Sequence, residues 1–296
     1  MLNHLLPHEV RPGRVVVAGA GGFVGKAIAG RLEKDGVAVL RLTRREIDLL
    51  SPGAGERLAA LLRPGDVFVA VAALAPCKTV EMLRDNMIIA AALVKGAARA
   101  GLAQVVNIGS DAVYADAEGK LTEQSVTAPD SLHGVMHLAR EVMFRSEIAV
   151  PLVTLRPSLI YGAGDPHNGY GPNRFRRLAA QGEPIVLFGK GEERRDHVLI
   201  DDVAELAARV IYRRSTGALN VATGVVTSFR DIAEAVVGLS GRAVPIKETP
   251  RSGAMPHNGY RAFDIAACRA AFPDFSFTTL AEGLARAQRA QMPRGA

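Results

Sequence analysis

Two patterns of apolar and polar residues alternate along roughly the first half of the chain. Short apolar runs rich in β-branched residues recur at 15–17, 37–40, 67–69, 105–108 and 152–155. Between these runs lie alanine- and leucine-rich stretches with helical spacing, such as 23–34 and 86–100. Gly36 and Gly101 follow two of these stretches, where glycine commonly ends a helix. Apolar strands that alternate with helices are typical of a parallel sheet covered on both faces, so the pattern predicts an α/β fold with a doubly wound parallel sheet.

The pattern changes after Tyr161. A loop over 162–172 is rich in glycine and proline, and a loop of this length in a compact domain is usually functional or disordered. The rest of the chain mixes short strands and helices without the earlier alternation. We therefore predict a smaller C-terminal lobe that binds the substrate and caps the edge of the sheet. The expected division places 11–160 and about 194–222 in the sheet domain, and 161–193 and 223–296 in the smaller lobe.

Charge, cysteine content and apolar run length narrow the class of protein. Lysine and arginine number 36 against 30 aspartates and glutamates, and the resulting charge of +6 is spread along the chain. This small excess fits an anionic small molecule as well as nucleic acid, so we expect no nucleic-acid partner. Cys77 and Cys268 lie far apart, which predicts reduced thiols and no metal site. The longest apolar stretch, 67–75, is too short to span a bilayer, and 1–14 lacks a signal-peptide pattern, so a cytoplasmic protein without a membrane partner is expected.

A glycine-rich turn follows the first apolar run. Gly19, Gly22 and Gly25 form a Gly-x-x-Gly-x-x-Gly spacing that leads directly into the first helical stretch at Phe23 and Val24. Such glycines allow a tight turn, close approach of the backbone to a pyrophosphate, and tight packing of the helix. The helix N-terminus then offers free N–H groups and the positive end of its dipole to the phosphates. The sheet domain is therefore predicted to be a Rossmann domain that binds a dinucleotide.

The end of the second apolar run indicates which dinucleotide. An NAD site normally has an acidic residue here for the ribose hydroxyls, whereas an NADP site has arginine. The sequence reads Thr43-Arg44-Arg45, and the first acidic residue is Glu46. Two guanidinium groups thus stand where a 2′-phosphate would lie, unless they form only an exposed basic turn. The residues favour NADP(H) over NAD(H).

Further motifs follow the glycine turn in a defined order. They are Asp48-Leu49, Ala72-Ala73, the segment 107–114, Arg156-Pro157, Tyr161-Gly162, 188–191, 195–198, 201–203, 250–253 and Asp264. In this order and spacing, from about Arg14 to Ala287, the chain resembles the extended short-chain dehydrogenase/reductase family of nucleotide-sugar epimerases, dehydratases and ketoreductases. The resemblance implies that Asp48 and Leu49 contact adenine and that Ala72 and Ala73 lie beside the cofactor. The stretch 43–49 is most similar to the NADPH-using GDP-fucose synthase branch.

The catalytic element departs from that family. Its members carry Tyr-x-x-x-Lys on the helix after the serine, in which tyrosinate exchanges a proton with the substrate hydroxyl and lysine holds the nicotinamide ribose. This chain has His133 and His137 at those two positions, and a spacing of four residues places both imidazoles on one helix face. The resemblance implies that Ser110 bonds the reacting sugar oxygen. Three interpretations remain open: His133 is the acid/base, Tyr114 has taken over the proton, or the site binds its ligands without turnover.

The resemblance also implies a nucleotide-sugar substrate. Arg195 and Arg251 match positions that grip the diphosphate, and Asn173 begins the helix after the long loop; Asn86 is also assigned to substrate binding. We therefore expect an NADP(H)-dependent oxidoreductase or epimerase that transfers hydride at a sugar carbon. The alternative is a catalytically impaired nucleotide- or nucleotide-sugar-binding protein of the same fold. The family further implies a homodimer formed through the helices that flank the active site.

Overall fold

The structure is a computed structural model that describes residues 2–290. The apolar runs of the sequence become strands of a large sheet, with the run 37–40 at its edge, and shorter strands follow in the C-terminal half. In chain order the strands are β1 (Asn3–His4), β2 (Arg14–Ala18), β3 (Ala38–Leu42), β4 (Val67–Ala70), β5 (Gln104–Ile108), β6 (Leu152–Pro157), β7 (Leu159–Tyr161), β8 (Ile185–Phe188), β9 (Arg194–Leu199), β10 (Ser215–Val221), β11 (Val226–Ser228), β12 (Ile246–Thr249) and β13 (Tyr260–Arg261).

The helices begin at recognisable caps. The Thr79 and Ser131 side chains, for example, accept backbone N–H groups at the starts of the third and fourth helices. In chain order the helices are α1 (Phe23–Lys34), α2 (Ala54–Leu61), α3 (Val80–Ala98), α4 (Leu132–Glu147), α5 (Pro172–Gln181), α6 (Ile200–Tyr212), α7 (Phe229–Ser240), α8 (Ala266–Ala271) and α9 (Leu280–Arg289). Of the helices that the structure describes, none is both long and apolar enough to cross a membrane.

The large sheet is parallel except at one edge. Its strand order is β1-β10-β6-β5-β4-β2-β3, and only the short β1 runs antiparallel to its neighbour among the described strands. Alternate residues of each strand face opposite sides, so Val15 and Val17 pack with α1 and α6, whereas Val16 packs with α2, α3 and α4. Because helices cover both faces, the central strands β4 and β5 are buried throughout. The predicted α/β doubly wound sheet is confirmed.

The smaller lobe consists of short strands and three helices. β9 pairs with β7, β11 and β13, and β8 pairs with β12 in a separate ribbon. The helices α5, α7 and α9 pack around a core that includes Phe175, Leu187, Phe229, Ile232 and Leu284. This lobe lies beside the carboxyl ends of the parallel strands, where its residues help to enclose a cavity.

The division of the chain differs from the predicted one in three places. The range 194–222 was expected in the sheet domain, but β9 at its start belongs to the smaller sheet because it pairs with strands of the lobe. The range 223–296 was expected in the lobe, but Cys268 and Phe272 pack into the core of the large sheet. Strand β1, which precedes residue 11, also joins the large sheet. The last residues of the predicted lobe, 291–296, lie outside the described residues.

Candidate active site

A cavity of about 760 Å³ opens at the carboxyl ends of β2, β4, β5 and β6 and extends to the smaller lobe. Open α/β sheets bind their ligands at this edge. Most residues selected from the sequence line the cavity: Gly19, Gly22, Phe23, Val24, Thr43, Arg44, Asp48, Leu49, Ala72, Ala73, Ser110, Tyr114, His133, His137, Asn173 and Arg195. Gly25, Arg45, Asn86 and Arg251 were also selected but do not line it.

The turn after β2 has the shape that a diphosphate requires. Gly19 has a φ of +91°, and a Cβ there would lie 2.6 Å from the backbone nitrogen of Ala72. A Cβ on Gly25 would overlap with the Gly19 carbonyl, so this glycine lets α1 pack directly against the turn. No side chain caps the N-terminus of α1 at Gly22, and its first turn carries no acidic residue. The free N–H groups at this helix end fit a nicotinamide dinucleotide.

The turn after β3 is fixed by Glu46. The backbone N–H and hydroxyl of Thr43 both donate to the Glu46 carboxylate, at 2.8 and 2.6 Å. Arg44 lines the cavity with a side chain that is 76% exposed, and its guanidinium lies 3.7 Å from Asp48. Exposed ion pairs of this kind contribute little, so Arg44 is available to a phosphate at small cost. Arg45 is exposed and lies outside the cavity lining.

His133 and His137 meet on the same face of α4. Their ring centroids are 4.7 Å apart and the rings are nearly perpendicular, at 86°. The backbone N–H of Cys77 donates to Nδ1 of His133 at 3.4 Å. Nδ1 of His137 is buried and has no hydrogen-bond partner among the described residues. The two imidazoles therefore share one wall of the cavity, as the four-residue spacing predicted.

Burial keeps both imidazoles neutral. It lowers the pKa of His133, with Asp111 opposing the shift and His167 adding to it. Burial also lowers the pKa of His137 well below its ordinary value, and the Arg140 charge and a protonated His133 act in the same direction. At neutral pH each ring is therefore uncharged, with one nitrogen that can accept a hydrogen bond and one N–H that can donate.

Ser110 lies at the start of a short 3₁₀ helix, Asp111–Val113. Its hydroxyl oxygen accepts the N–H of Ala112 at 3.1 Å, and its hydroxyl donates to Asp111 at 3.3 Å. The Asp111 carboxylate is itself bound by the buried guanidinium of Arg261, at 2.9 Å. This pairing joins residues 150 positions apart, and no local sequence signal could have indicated it. Asp111 thus stabilises the strand end that presents Ser110.

Tyr114 is committed to a buried network. Its hydroxyl donates to Oδ1 of Asn220 at 2.7 Å and accepts a hydrogen bond from Arg156 at 2.7 Å. Burial raises the pKa of this phenol, although the Arg156 charge opposes the shift. The ring lines the cavity, but the hydroxyl has its partners within the protein. This geometry favours His133 over Tyr114 as the group that exchanges the proton, and the alternative in which Tyr114 carries it stays a prediction.

A buried carboxylate connects the two predicted diphosphate arginines. Arg195 lines the cavity and donates to Glu193 at 3.1 Å. Arg251 lies outside the lining and reaches the other Glu193 oxygen at 3.4 Å. Glu193 lies two residues before Arg195 and is not among the residues selected from the sequence. Only Arg195 faces the cavity directly, and Glu193 couples it to Arg251.

The two selected asparagines hold loops in place. Oδ1 of Asn173 accepts the N–H of Gly162 at 3.1 Å, which ties the start of the long loop to α5. Oδ1 of Asn86 accepts the N–H of Leu74 at 2.8 Å, and its amide donates to the Leu74 and Met82 carbonyls. Asn86 is buried outside the cavity lining, which corrects its assignment to substrate binding. Its hydrogen bonds to Leu74 and Met82 instead anchor the segment after β4 to α3.

Histidines are concentrated in this cavity beyond the predicted pair. Five of the seven histidines line it, and the additional three are His167, His197 and His257. His197 packs edge-on against Phe229, and burial lowers its pKa to about 3. His257 contacts Asp116 and Arg261. These three residues come from separate segments, so their position in the sequence does not indicate that they share one cavity.

Comparison with known proteins gives consistent matches. Residues 15–222 match the model of the NAD dependent epimerase/dehydratase family. GDP-L-fucose synthase of Escherichia coli is 28% identical over 274 residues, which cover 78% of this chain and 83% of that protein. UDP-glucose 4-epimerase of Mycolicibacterium smegmatis is 28% identical over 264 residues, covering 77% and 83%. The crystal structure of UDP-glucose 4-epimerase from Thermus thermophilus in complex with NAD superposes with a TM-score of 0.80 at 22% identity, covering 93% of this chain and 98% of that one.

Proposed function

Because the chain belongs to the NAD dependent epimerase/dehydratase family, we propose that it is an NADP(H)-dependent oxidoreductase or epimerase acting on a nucleotide-diphosphate sugar. One observation carries this proposal: a single cavity joins the glycine turn, Ser110, His133 and Arg195. These residues provide a cradle for a dinucleotide, groups for proton exchange and a cation for a second diphosphate. Relatives that share about a quarter of the sequence are named as enzymes of nucleotide sugars, which supports the same substrate class.

The turns after β2 and β3 would hold the cofactor. The α1 N-terminus would bind the pyrophosphate, and Asp48 and Leu49 would contact adenine. Ala72 and Ala73 would lie beside the cofactor. Arg44 supports NADP(H) over NAD(H), since its guanidinium can leave Asp48 to bind a 2′-phosphate. A bound nicotinamide cofactor would supply the hydride donor or acceptor.

Residues at the cavity wall formed by α4 would carry out proton exchange with the substrate. Ser110 would turn its hydroxyl hydrogen from Asp111 to the reacting sugar oxygen, and His133 would exchange the proton of that oxygen. The lowered pKa of His133 leaves a neutral imidazole at neutral pH. Its Nδ1 accepts the Cys77 N–H at 3.4 Å, a long hydrogen bond that the sugar hydroxyl would replace when Nδ1 takes its proton. His137 occupies the position of the family lysine and would orient the nicotinamide ribose through its buried ring.

The smaller lobe would recognise the diphosphate of the substrate. Arg195 would bind it directly, since a guanidinium suits the geometry of phosphate oxygens. Glu193 would align Arg195 with Arg251. We further propose a cytoplasmic location and a homodimer. For the homodimer, exposed apolar residues on α3 and α4 (Val80, Ile88, Val135 and Val142) suit a partner surface.

The experiment is a turnover screen with a bound cofactor. Purified protein is mixed with NADPH or NADP⁺ and with UDP-, GDP- and dTDP-sugars or their keto forms, and the absorbance of the reduced nicotinamide is followed. Epimerisation, which leaves this absorbance unchanged, is checked by chromatography of the sugar products. Turnover of any nucleotide sugar would support the enzymatic proposal.

The second proposal is a catalytically impaired binding protein. It is favoured by one observation, the replacement of tyrosine and lysine by His133 and His137 at the cavity wall. Binding of both cofactor and nucleotide sugar without turnover would support it. The double variant His133→Tyr/His137→Lys separates the two cases further, since gain of turnover there would show that only the catalytic pair is impaired.

A further inference from the structure

A buried arginine lies beneath the carboxyl ends of β4 and β5. Arg140 follows His137 by one helical turn on α4, and it is 2% exposed. Its Nε donates to Oδ1 of Asn107 at 2.7 Å. Its two terminal nitrogens donate to the carbonyls of Ala72 and Ala70, at 2.6 and 2.7 Å. One guanidinium therefore holds together the ends of two neighbouring strands.

Within residues 2–290, the charge of Arg140 has no carboxylate partner. All three acceptors are neutral oxygens, and no carboxylate of the described residues lies within 4.0 Å of the guanidinium. Arg156, which is similarly buried, is bound by Glu141 at 2.7 Å. Burial lowers the pKa of Arg140 to about 10, so the side chain remains charged at neutral pH. A buried charge without a counter-ion is costly, and an anion brought to this edge would relieve that cost.

This charge lies directly behind the expected cofactor site. The same Ala72 whose carbonyl binds Arg140 packs its backbone nitrogen against Gly19 of the phosphate turn. Ala72 and His137 both line the cavity. The guanidinium is thus separated from the cavity by one residue of backbone, beside the ring that stands in the place of the family lysine.

We propose that Arg140 is a positioning residue for the pyrophosphate of the cofactor. It fixes the ends of β4 and β5, and its charge attracts the phosphates from behind the turn that Gly19 and Ala72 form. The inference rests on the proposed function, because it requires a dinucleotide in the cavity. ADP carries two phosphates as well as adenosine, whereas adenosine carries neither, so the two ligands separate an effect on the phosphates from an effect on the rest of the site.

The test compares the affinities of four proteins for NADPH, ADP and adenosine. Arg140→Gln removes the charge, and Arg140→Lys keeps it. Arg176→Gln is the matched control, since Arg176 is also buried, at 1% exposure, but lies on α5 in the smaller lobe. Binding of NADPH is measured by its fluorescence and binding of ADP and adenosine by calorimetry. We expect Arg140→Gln to weaken NADPH and ADP about tenfold and adenosine less than about twofold, Arg140→Lys to lose less than about threefold, and the control to match the wild type.

A second variant covers the case in which Arg140→Gln fails to fold. Asn107→Asp places a carboxylate on the guanidinium without removing any bond to it, so it neutralises the charge in place. We expect it to weaken NADPH and ADP to a similar extent and to leave adenosine unchanged. Wild-type affinity for NADPH and ADP in both neutralised variants, or equal loss of NADPH and adenosine, would overturn the role of Arg140. Failure of the wild-type protein to bind NADPH or NADH would overturn the proposed function instead.

Discussion

The cofactor end of the cavity is shaped by backbone, whereas the end near His133 is shaped by side-chain pairs from distant segments. At the first end, Gly19 and Gly25 allow contacts that any Cβ would prevent. At the second end, Asp111 is held by Arg261 and Arg195 by Glu193. A backbone cradle leaves a short signature in the sequence, but a network of ion pairs does not. This contrast explains why a cofactor is easier to infer for this chain than a reaction.

The largest expected effect tests the end built from side chains. His133→Ala should lower turnover by about 10²–10⁴, the usual worth of one positioned proton-transfer group, with NADPH affinity nearly unchanged. The measurement is kcat on the substrate found by the screen, together with the dissociation constant for NADPH.

Tyr114→Phe is the comparison for this variant. Because the Tyr114 hydroxyl bonds Arg156 and Asn220, its removal should lower the free energy of unfolding by about 1–3 kcal/mol and change kcat little. A large loss of kcat in Tyr114→Phe, together with a nearly unchanged kcat in His133→Ala, would identify Tyr114 instead of His133 as the proton-transfer group.

The next effect tests the end built from backbone. Gly25→Ala places a Cβ against the Gly19 carbonyl, and such overpacking typically costs about 1–3 kcal/mol. Since the strain acts on the phosphate turn, we expect weaker NADPH binding as well as a lower melting temperature.

Gly30→Ala is the matched control on the same helix. The nearest atom to its new Cβ is a terminal nitrogen of Arg41, at 4.0 Å. Alanine should therefore stabilise α1 by about 0.5–1 kcal/mol without affecting NADPH binding. Equal behaviour of the two variants would show that the turn is not tightly packed.

The pH dependence of turnover is a further test of His133. Because burial lowers the pKa of this imidazole, oxidation of a sugar hydroxyl should be independent of pH around neutrality. It should fall about tenfold for each pH unit below the His133 pKa, where the imidazole is already protonated. Reduction needs the protonated ring and should instead fall as the pH rises through that pKa.

His167→Gln should move the midpoint of this profile upward, because a neighbouring positive charge is removed. The measurement is the pH profile of kcat/KM in both directions. An oxidation profile with its midpoint above pH 6.5 would exclude His133 as the base.

The smallest expected effect concerns cofactor choice. Arg44→Ala should weaken NADPH about tenfold relative to NADH, through loss of one charge-assisted bond. Arg45→Ala should change this ratio by less than about twofold, since Arg45 does not line the cavity. Dissociation constants for both cofactors decide the question, and equal affinities in the wild type would remove the case for NADP(H).

Particular residues show how far the sequence could predict the structure. The helix expected over 23–34 is found as α1 with the same bounds, because its glycine turn and apolar spacing are local signals. The stretch 86–100 predicted only the later part of α3, which begins at Val80 after the Thr79 cap. Strand β9 was placed in the wrong sheet, since apolar periodicity marks a strand but not its partner. Asn86 was assigned to substrate although its amide is used within the fold.

The path of the chain has a consequence for changing specificity. After β6 the chain enters the smaller lobe, α6 and β10 return it to the large sheet, and the segment around Cys268 returns there again after β11, β12 and β13. Because several separate segments form the smaller lobe, it cannot be exchanged between relatives as one continuous segment with two junctions. A new substrate preference would have to be introduced by point substitutions at the cavity wall, without changing the segments that connect the lobe to the large sheet.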